Sequence, residues 1–135
     1  MREAQCGCGK LRIKAEGEPA FVIMCHCEAC QRRTGAPNGV GAYFEAGQTE
    51  VGGETRTFTR PTDSGRTLTN HFCPTCGTTV YWEAGSLAGF RGIAVGCFTD
   101  PDFPPPRRSV FTKRKRAWMA IPDGAEVYEE SSFRG

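Results

Sequence analysis

The chemistry that this sequence could perform is concentrated in its cysteines, of which there are eight. Seven of them form three tight groups: Cys6-Gly7-Cys8, a run within residues 25–30, and Cys73-Pro74-Thr75-Cys76. A disulfide between cysteines two residues apart would be badly strained, whereas closely spaced thiolates are common ligands of zinc. The spacing therefore predicts metal binding rather than a disulfide framework.

The Cys-x-x-Cys turn at residues 73–76 predicts one zinc site whose ligands come from two parts of the chain. Such a turn directs two sulfurs toward one ion, and Gly77 can take the positive φ that the turn commonly requires. The other two ligands must come from the N-terminal pair or from the central cluster. Pairing with the N-terminal cysteines gives a closed site of four thiolates, here called the quartet: Cys6, Cys8, Cys73 and Cys76.

The central cluster, Cys25-His26-Cys27-Glu28-Ala29-Cys30, predicts a second site of a different kind. Because side chains alternate along an extended segment, Cys25 and Cys27 lie on the same side and His26 faces away. Cys30 can reach back from the first turn of a helix. These three cysteines, here called the triad, would leave one position of a tetrahedral zinc ion open, which is the pattern of a reactive site.

Two residues outside these groups leave alternatives open. If His71 or Cys97 supplied a fourth ligand to the triad, the second site would be closed and purely structural. Cys97 lies in an apolar run and is interpreted as a small buried hydrophobic residue. If Cys97 were instead a nucleophile, the protein could reduce methionine sulfoxide. The residues next to Cys97 in the sequence, however, lack the basic and Asn side chains associated with that activity.

The three cysteine motifs in this order, with Arg32, Thr34 and Gly35 after the second and Trp118 near the end, resemble the CENP-V/GFA domain family. That family is named for glutathione-dependent formaldehyde-activating enzyme, and the resemblance covers residues 5–122. It implies a twisted all-β fold of the β-tent kind, in which the quartet holds a structural zinc and the triad a catalytic zinc. It also implies a carbon-sulfur lyase activity that joins formaldehyde to glutathione.

The partners that this resemblance implies are two small molecules, a thiol such as glutathione and a small aldehyde. The thiol could occupy the open position at the triad and ionise there, and its sulfur would then add to the aldehyde carbon. Arg32 and Arg33 follow the triad directly and could bind a carboxylate of a glutathione-like substrate through paired hydrogen bonds. They could equally form a solvated helix face.

Length and charge restrict the other function classes. The chain of 135 residues and 14.7 kDa is predicted to form one domain, with its core in residues 5–122 and an acidic tail in residues 124–135. A formal net charge of +2 is too small to attract a polyanion by itself. The basic residues at 107–116 are interpreted as part of a charged edge strand, so nucleic acid is not expected as a partner. The alternative to an enzyme is a non-catalytic zinc-binding module, whose function would be to bind a protein or nucleic-acid partner.

The elements that must position the cysteines are predicted to be short strands, because 17 Gly and 9 Pro favour tight turns over long helices. One short helix is expected at residues 28–33, and turns at 51–54 and 62–65 are expected to close hairpins. The glycines in segment 38–44 indicate that another backbone or a ligand approaches that strand closely. The fold class is all-β, with short twisted antiparallel sheets and a tail that frays after Gly124. Strands are expected near residues 10–15, 20–24, 38–44, 55–59, 66–72, 78–83, 93–98 and 109–113.

The longest apolar stretch, residues 20–25, is far shorter than the roughly 20 residues that cross a bilayer. The first residues also lack the apolar run of a secretory signal. The sequence therefore predicts a cytoplasmic protein that does not associate with membranes and whose thiols stay reduced.

Overall fold

The computed structural model describes residues 1–132, which form short strands and, within that range, one α-helix, α1 (Glu28–Thr34). Single turns of 3-10 helix occur at Ala46–Gln48, Gly85–Leu87, Val95–Cys97 and Thr112–Arg114. Within residues 1–132, no helix has the length and apolar composition needed to span a bilayer. The strands are β1 (Arg2–Gln5), β2 (Arg12–Ala15), β3 (Phe21–Cys25), β4 (Gly39–Glu45), β5 (Thr49–Gly52), β6 (Arg56–Pro61), β7 (Thr67–Phe72), β8 (Thr79–Ala84), β9 (Phe90–Ala94), β10 (Arg108–Val110) and β11 (Glu126–Val127).

The strands form two sheets. The smaller sheet has the order β1-β2-β5, and the larger has the order β11-β10-β3-β4-β9-β8-β7-β6. Pairing is antiparallel except around β10, which runs parallel to both β3 and β11. The register places Val110 opposite Cys25, so the end of β3 that carries the central cysteine cluster is held directly beside β10.

One cluster of buried side chains joins the two sheets. On β2, Ile13 and Ala15 are fully buried while the alternate residues Arg12 and Lys14 are exposed, which is the period-two pattern of a half-buried strand. These side chains belong to the same cluster as Phe44 and residues of β3, β8 and β9 from the larger sheet. The smaller sheet therefore covers one face of the larger sheet and leaves the opposite face available for a site.

The all-β class is confirmed, with one short helix within residues 1–132, but several local predictions are wrong. The strand expected at 109–113 ends at Val110, and Thr112–Arg114 form a turn of 3-10 helix. The strand expected at 93–98 ends at Ala94, because the chain turns there into a 3-10 helix in which Phe98 N–H bonds to Val95 O at 3.0 Å. The turn at 51–54 does not close a hairpin. It carries the chain from β5, which pairs with β2, into β6, which pairs with β7 of the other sheet.

The C-terminal segment does not fray over its described part. Tyr128 N–H donates to Ser109 O at 2.9 Å, and Phe111 N–H donates to Glu130 O at 3.0 Å. These bonds satisfy backbone groups of β10 that would otherwise lie at an open sheet edge, so β10 is an interior strand rather than the predicted edge. Residues 133–135 of the predicted tail lie outside the described residues.

Candidate metal centres and the adjoining cleft

The four sulfurs of the quartet converge on a common point. The Sγ atoms of Cys6, Cys8, Cys73 and Cys76 all lie within 4.8 Å of one another. The Cys6 and Cys8 sulfurs are 3.6 Å apart, and those of Cys8 and Cys73 are 3.7 Å apart. A tetrahedral zinc ion with Zn–S distances of about 2.3 Å separates its sulfurs by about 3.8 Å. A disulfide would need about 2.05 Å. The quartet therefore fits zinc and not a pair of disulfides.

Backbone amides direct the quartet sulfurs inward. Leu11 N–H donates to Cys6 Sγ at 3.2 Å, and Thr75 N–H donates to Cys73 Sγ at 3.4 Å. Gly77 has φ of 80°, and its N–H bonds to Cys73 O at 2.8 Å, which closes the turn. Such N–H···S bonds favour the thiolate that a metal ion needs. The quartet joins the chain after β1 to the loop between β7 and β8, and so links the two sheets.

The three sulfurs of the triad also lie within 4.8 Å of one another. Cys25 is the last residue of β3, Cys27 is the N-cap of α1, and Cys30 lies in the first turn of that helix. The extended backbone of the N-cap turns the Cys27 sulfur toward the first free amides of α1, where Cys30 N–H donates to it at 3.4 Å. The start of the helix thus fixes two of the three sulfurs relative to each other.

Hydrogen bonding distributes protons unequally over the triad. Bonds from Cys25 and Cys30 lower the pKa of Cys27 to about 2. The bonds to Cys27 and Cys30, with burial, raise the pKa of Cys25. For Cys30, the bond with Cys25 lowers the pKa, but the bond to Cys27 and burial raise it to about 11. One thiolate is thus shared with two thiols, and three thiolates at this distance require a cation among them.

His26 is not a ligand of the triad. Its side chain is fully buried, and Nε2 lies 2.8 Å from Ser109 Oγ on β10. Burial lowers the pKa of His26, repulsion from Lys115 lowers it further, and only the attraction of Cys27 opposes these effects. The imidazole is therefore neutral and holds the cysteine cluster against β10.

Among the described residues, no fourth histidine, cysteine or carboxylate joins the triad. His71 Nε2 lies 2.9 Å from Glu83 Oε1, and its ring stacks on Tyr81 with the centroids 4.3 Å apart. Cys97 is half-buried in a 3-10 turn and packs against the core, and burial raises the pKa of its thiol. Neither residue joins the triad, so its three sulfurs are left beside an open space.

That space is a cleft of about 1130 Å³, a size that accommodates a peptide-sized ligand. The triad, α1, the uncovered face of the larger sheet and residues 129–132 line it. Trp82 and Tyr43 form its aromatic part, where Trp82 Nε1–H donates to Tyr43 Oη at 2.9 Å. Burial raises the pKa of Tyr43 to about 12, so its phenol keeps its proton.

Glycines in β4 and β9 make room for this aromatic wall. A Cβ on Gly41 would lie 2.5 Å from Trp82 Cζ2, and one on Gly39 would lie 2.5 Å from an Arg33 nitrogen. A Cβ on Gly92 would also collide with the indole of Trp82. Segment 38–44 is thus closely approached, but by the side chains of Trp82 and Arg33 and not by the backbone or ligand that its glycines predicted.

The two arginines after the triad reach different surfaces. Arg33 lines the cleft, with Cζ 4.4 Å from the centroid of the Trp82 ring. The Arg32 side chain is 80% exposed, and its Nη2 lies 3.4 Å from Glu28 Oε2 beside a separate groove that Trp118 lines. Successive residues of a helix point about 100° apart, so one of the pair faces the triad and the other does not.

Arg60 on β6 is a further cationic residue of the cleft, and it is not among the residues predicted from sequence. The register places Arg60 opposite Leu68 on β7, which lies opposite Ala84 on β8, and all three residues line the cleft. The spacing of Arg60 from the cysteine motifs carries no signal. Only the pairing of three strands brings it to the triad.

The fold and the two clusters define a class of protein: a β-protein with one group of four cysteines and one group of three beside a cleft, each of which could hold a metal ion such as zinc. The family model for glutathione-dependent formaldehyde-activating enzyme (GFA) matches residues 1–114, and the chain belongs to this family. The resemblance of the motifs is thereby confirmed, and membership indicates a function related to glutathione and formaldehyde activation.

A solved structure shares the fold. The crystal structure of a Rhodobacter sphaeroides protein, a target of the Northeast Structural Genomics programme, superposes with a TM-score of 0.57 at 22% sequence identity. The match covers 73% of this chain and 91% of that chain, and at this identity it supports the fold alone. A search of curated proteins found no match.

Proposed function

We propose that the protein joins a small aldehyde such as formaldehyde to glutathione or a similar thiol, as a carbon-sulfur lyase of the GFA type. The observation that carries this proposal is the triad itself. Three sulfurs converge beside a cleft of about 1130 Å³, and no fourth protein ligand joins them within residues 1–132. A purely structural metal site would be closed by the protein on all four sides.

Each cysteine cluster would hold one zinc ion, the quartet for structure and the triad for catalysis. When bound at the triad, zinc would lower the pKa of an incoming thiol and fix its sulfur in place. The ligands would be Cys25, Cys27 and Cys30, and the amide of Cys30 stabilises the Cys27 thiolate. In the reaction, the substrate sulfur forms a bond to the aldehyde carbon, the C=O bond becomes a C–O bond, and the oxygen gains the proton that the thiol loses.

The remaining cleft residues suit a substrate that is larger than the reacting thiol. Arg33 offers a guanidinium next to Cys30 for a carboxylate of the substrate. Trp82 and Tyr43 offer an apolar wall, and the protonated Tyr43 hydroxyl adds a hydrogen-bonding group. Arg32, the other arginine predicted to bind substrate, lies outside this cleft, and its carboxylate partner is Glu28.

The alternative of a binding module has less support. Four of the basic residues in segment 107–116 are already engaged by the protein, and one of them is Arg114, whose Nη1 lies 3.3 Å from Glu28 Oε1. Lys113 Nζ lies 2.8 Å from Glu130 Oε1, Lys115 Nζ bonds to Met119 O at 2.8 Å, and Arg116 bonds to the Gln31 side chain at 2.9 Å. A polyanion would have to break these contacts before it gained new ones.

The proposal is tested by exchange NMR spectroscopy of formaldehyde and its glutathione adduct. The wild-type protein loaded with zinc should accelerate the exchange, and Cys27→Ser should return it to the rate of the solution without protein. Cys97→Ser is the matched control, because this half-buried thiol is not grouped with either cluster, and it should retain the wild-type rate. Equal exchange in the wild type and in Cys27→Ser would refute the proposal.

A further inference from the structure

Among the described residues, four cationic side chains line the cleft, and carboxylates of the protein neutralise two of them. Lys113 Nζ lies 2.8 Å from Glu130 Oε1, and Arg114 Nη1 lies 3.3 Å from Glu28 Oε1. The other two, Arg33 and Arg60, form no ion pair among residues 1–132.

The two unpaired guanidiniums are held in place without a counter-charge. Arg33 stacks on the face of Trp82, which leaves the N–H groups at the rim of its guanidinium free to donate. Arg60 is half-buried and makes a long hydrogen bond of 3.4 Å from Nη1 to Pro61 O. Half-buried arginines without carboxylate partners are costly to desolvate, unless an anion binds them.

These groups reach the triad from different elements. Arg33 is three residues after Cys30 on α1, so both side chains lie on one face of the helix. Arg60 comes from β6, on the far side of β7 and β8. The triad and both arginines line the same cleft, so one ligand in the cleft can contact all of them.

We infer that Arg33 and Arg60 bind two different carboxylates of one substrate, whose sulfur lies between them at the triad. The inference rests on the proposed function and narrows it to thiols that carry a carboxylate at each end of a central cysteine, as the γ-glutamyl-cysteinyl-glycine of glutathione does. Besides Glu28 and Glu130, the exposed carboxylates of Asp63 and Glu129 line the cleft, so recognition depends on the contacts of Arg33 and Arg60 and not on a net positive field. Thiols with one carboxylate or none would bind weakly.

The test uses a probe that cannot react, S-methylglutathione, and measures its binding by isothermal titration calorimetry. Arg33→Gln and Arg60→Gln should each weaken binding about tenfold to a hundredfold, the range expected when a charge-assisted hydrogen bond is lost. Arg56→Gln is the matched control, because Arg56 is an exposed residue of β6 that does not line the cleft, and it should bind like the wild type. Arg33→Lys keeps the charge and should fall between the wild type and Arg33→Gln.

Two further probes assign each arginine to its carboxylate. The glycyl ethyl ester of S-methylglutathione lacks one carboxylate, and S-methyl-cysteinylglycine lacks the other. A probe that lacks one carboxylate should bind equally to the wild type and to the variant that lacks the arginine for that carboxylate. The first probe should therefore be insensitive to one of the two glutamine substitutions, and the second probe to the other. The inference is wrong if both variants bind S-methylglutathione like the wild type. It is also wrong if each variant binds both probes more weakly than the wild type does.

Failure of the inference is distinguishable from failure of the proposed function. If the arginine variants lose probe binding and the exchange experiment shows no acceleration, the two-carboxylate site stands and the proposed reaction fails. If exchange is accelerated and the arginine variants bind the probe like the wild type, the reaction stands and the inference fails. Thermal unfolding of each variant must match that of Arg56→Gln, which excludes loss of binding through loss of fold.

Discussion

His26 Nε2 lies 2.8 Å from Ser109 Oγ, and both side chains are fully buried although 83 positions separate them in the chain. Next to this contact, His26 N–H donates to Val110 O at 3.1 Å. Among the described residues His26 Nδ1 has no hydrogen-bond partner, so the imidazole is held by its Nε2 bond to the Ser109 hydroxyl. The central cysteine cluster is therefore anchored to β10 by His26, which lies outside the triad.

Replacing Ser109 by Ala should lower the free energy of unfolding by about 1–3 kcal/mol, because it leaves the buried His26 Nε2 without its partner. Urea denaturation measures the change. Thr59→Val is the control, since it removes the hydroxyl of a 2.9 Å bond to Thr69 that is exposed to solvent, and it should change stability by less than about 0.5 kcal/mol. Equal effects of the two substitutions would show that the buried pair does not anchor the cluster.

Replacing Gly41 by Ala should destabilise the protein by about 1–3 kcal/mol and displace Trp82, because the added Cβ would lie 2.5 Å from the indole. Tryptophan fluorescence measures the displacement as a shift to longer wavelength, since Trp82 is buried in the native protein and Trp118 is already 73% exposed. Gly47→Ala is the control, because no heavy atom lies within 4 Å of its added Cβ. An unchanged spectrum in Gly41→Ala would contradict the close packing of β4 against Trp82.

The parts of the site that could be predicted from sequence are those that depend on local geometry. The placement of Cys25, Cys27 and Cys30 follows from a strand that ends just before a helix, and the turn at residues 73–76 follows from its Gly77. The rest depends on strand pairing. Arg60 reaches the cleft only through the order β6-β7-β8, and residues 129–132 reach it only because the C-terminal segment pairs beside β10. No local pattern specifies either neighbour.

The two cysteine clusters should respond differently to the loss of one ligand. Cys73→Ser should remove one zinc and lower the free energy of unfolding by about 3 kcal/mol or more, because the quartet links the two sheets and Cys73 is buried in the core. Cys30→Ser should also remove one zinc but leave a folded protein, because the triad lies at the wall of a cleft. Metal analysis and thermal unfolding of both variants measure these outcomes. Unfolding of Cys30→Ser comparable to that of Cys73→Ser would assign a structural role to both clusters.

A protein loaded with two equivalents of zinc should release them to a strong chelator in two kinetic phases of one equivalent each. The triad should release first, because a chelator can enter the cleft and bind at the position that the protein leaves open. The quartet should release later, since four thiolates surround that ion and Cys6 and Cys73 are buried. Near-ultraviolet circular dichroism, recorded alongside the zinc signal of a colorimetric chelator, should change mainly in the slow phase. Cys30→Ser should show the slow phase alone. A single phase in the wild type would mean that both clusters release zinc at the same rate, and would contradict the difference in access.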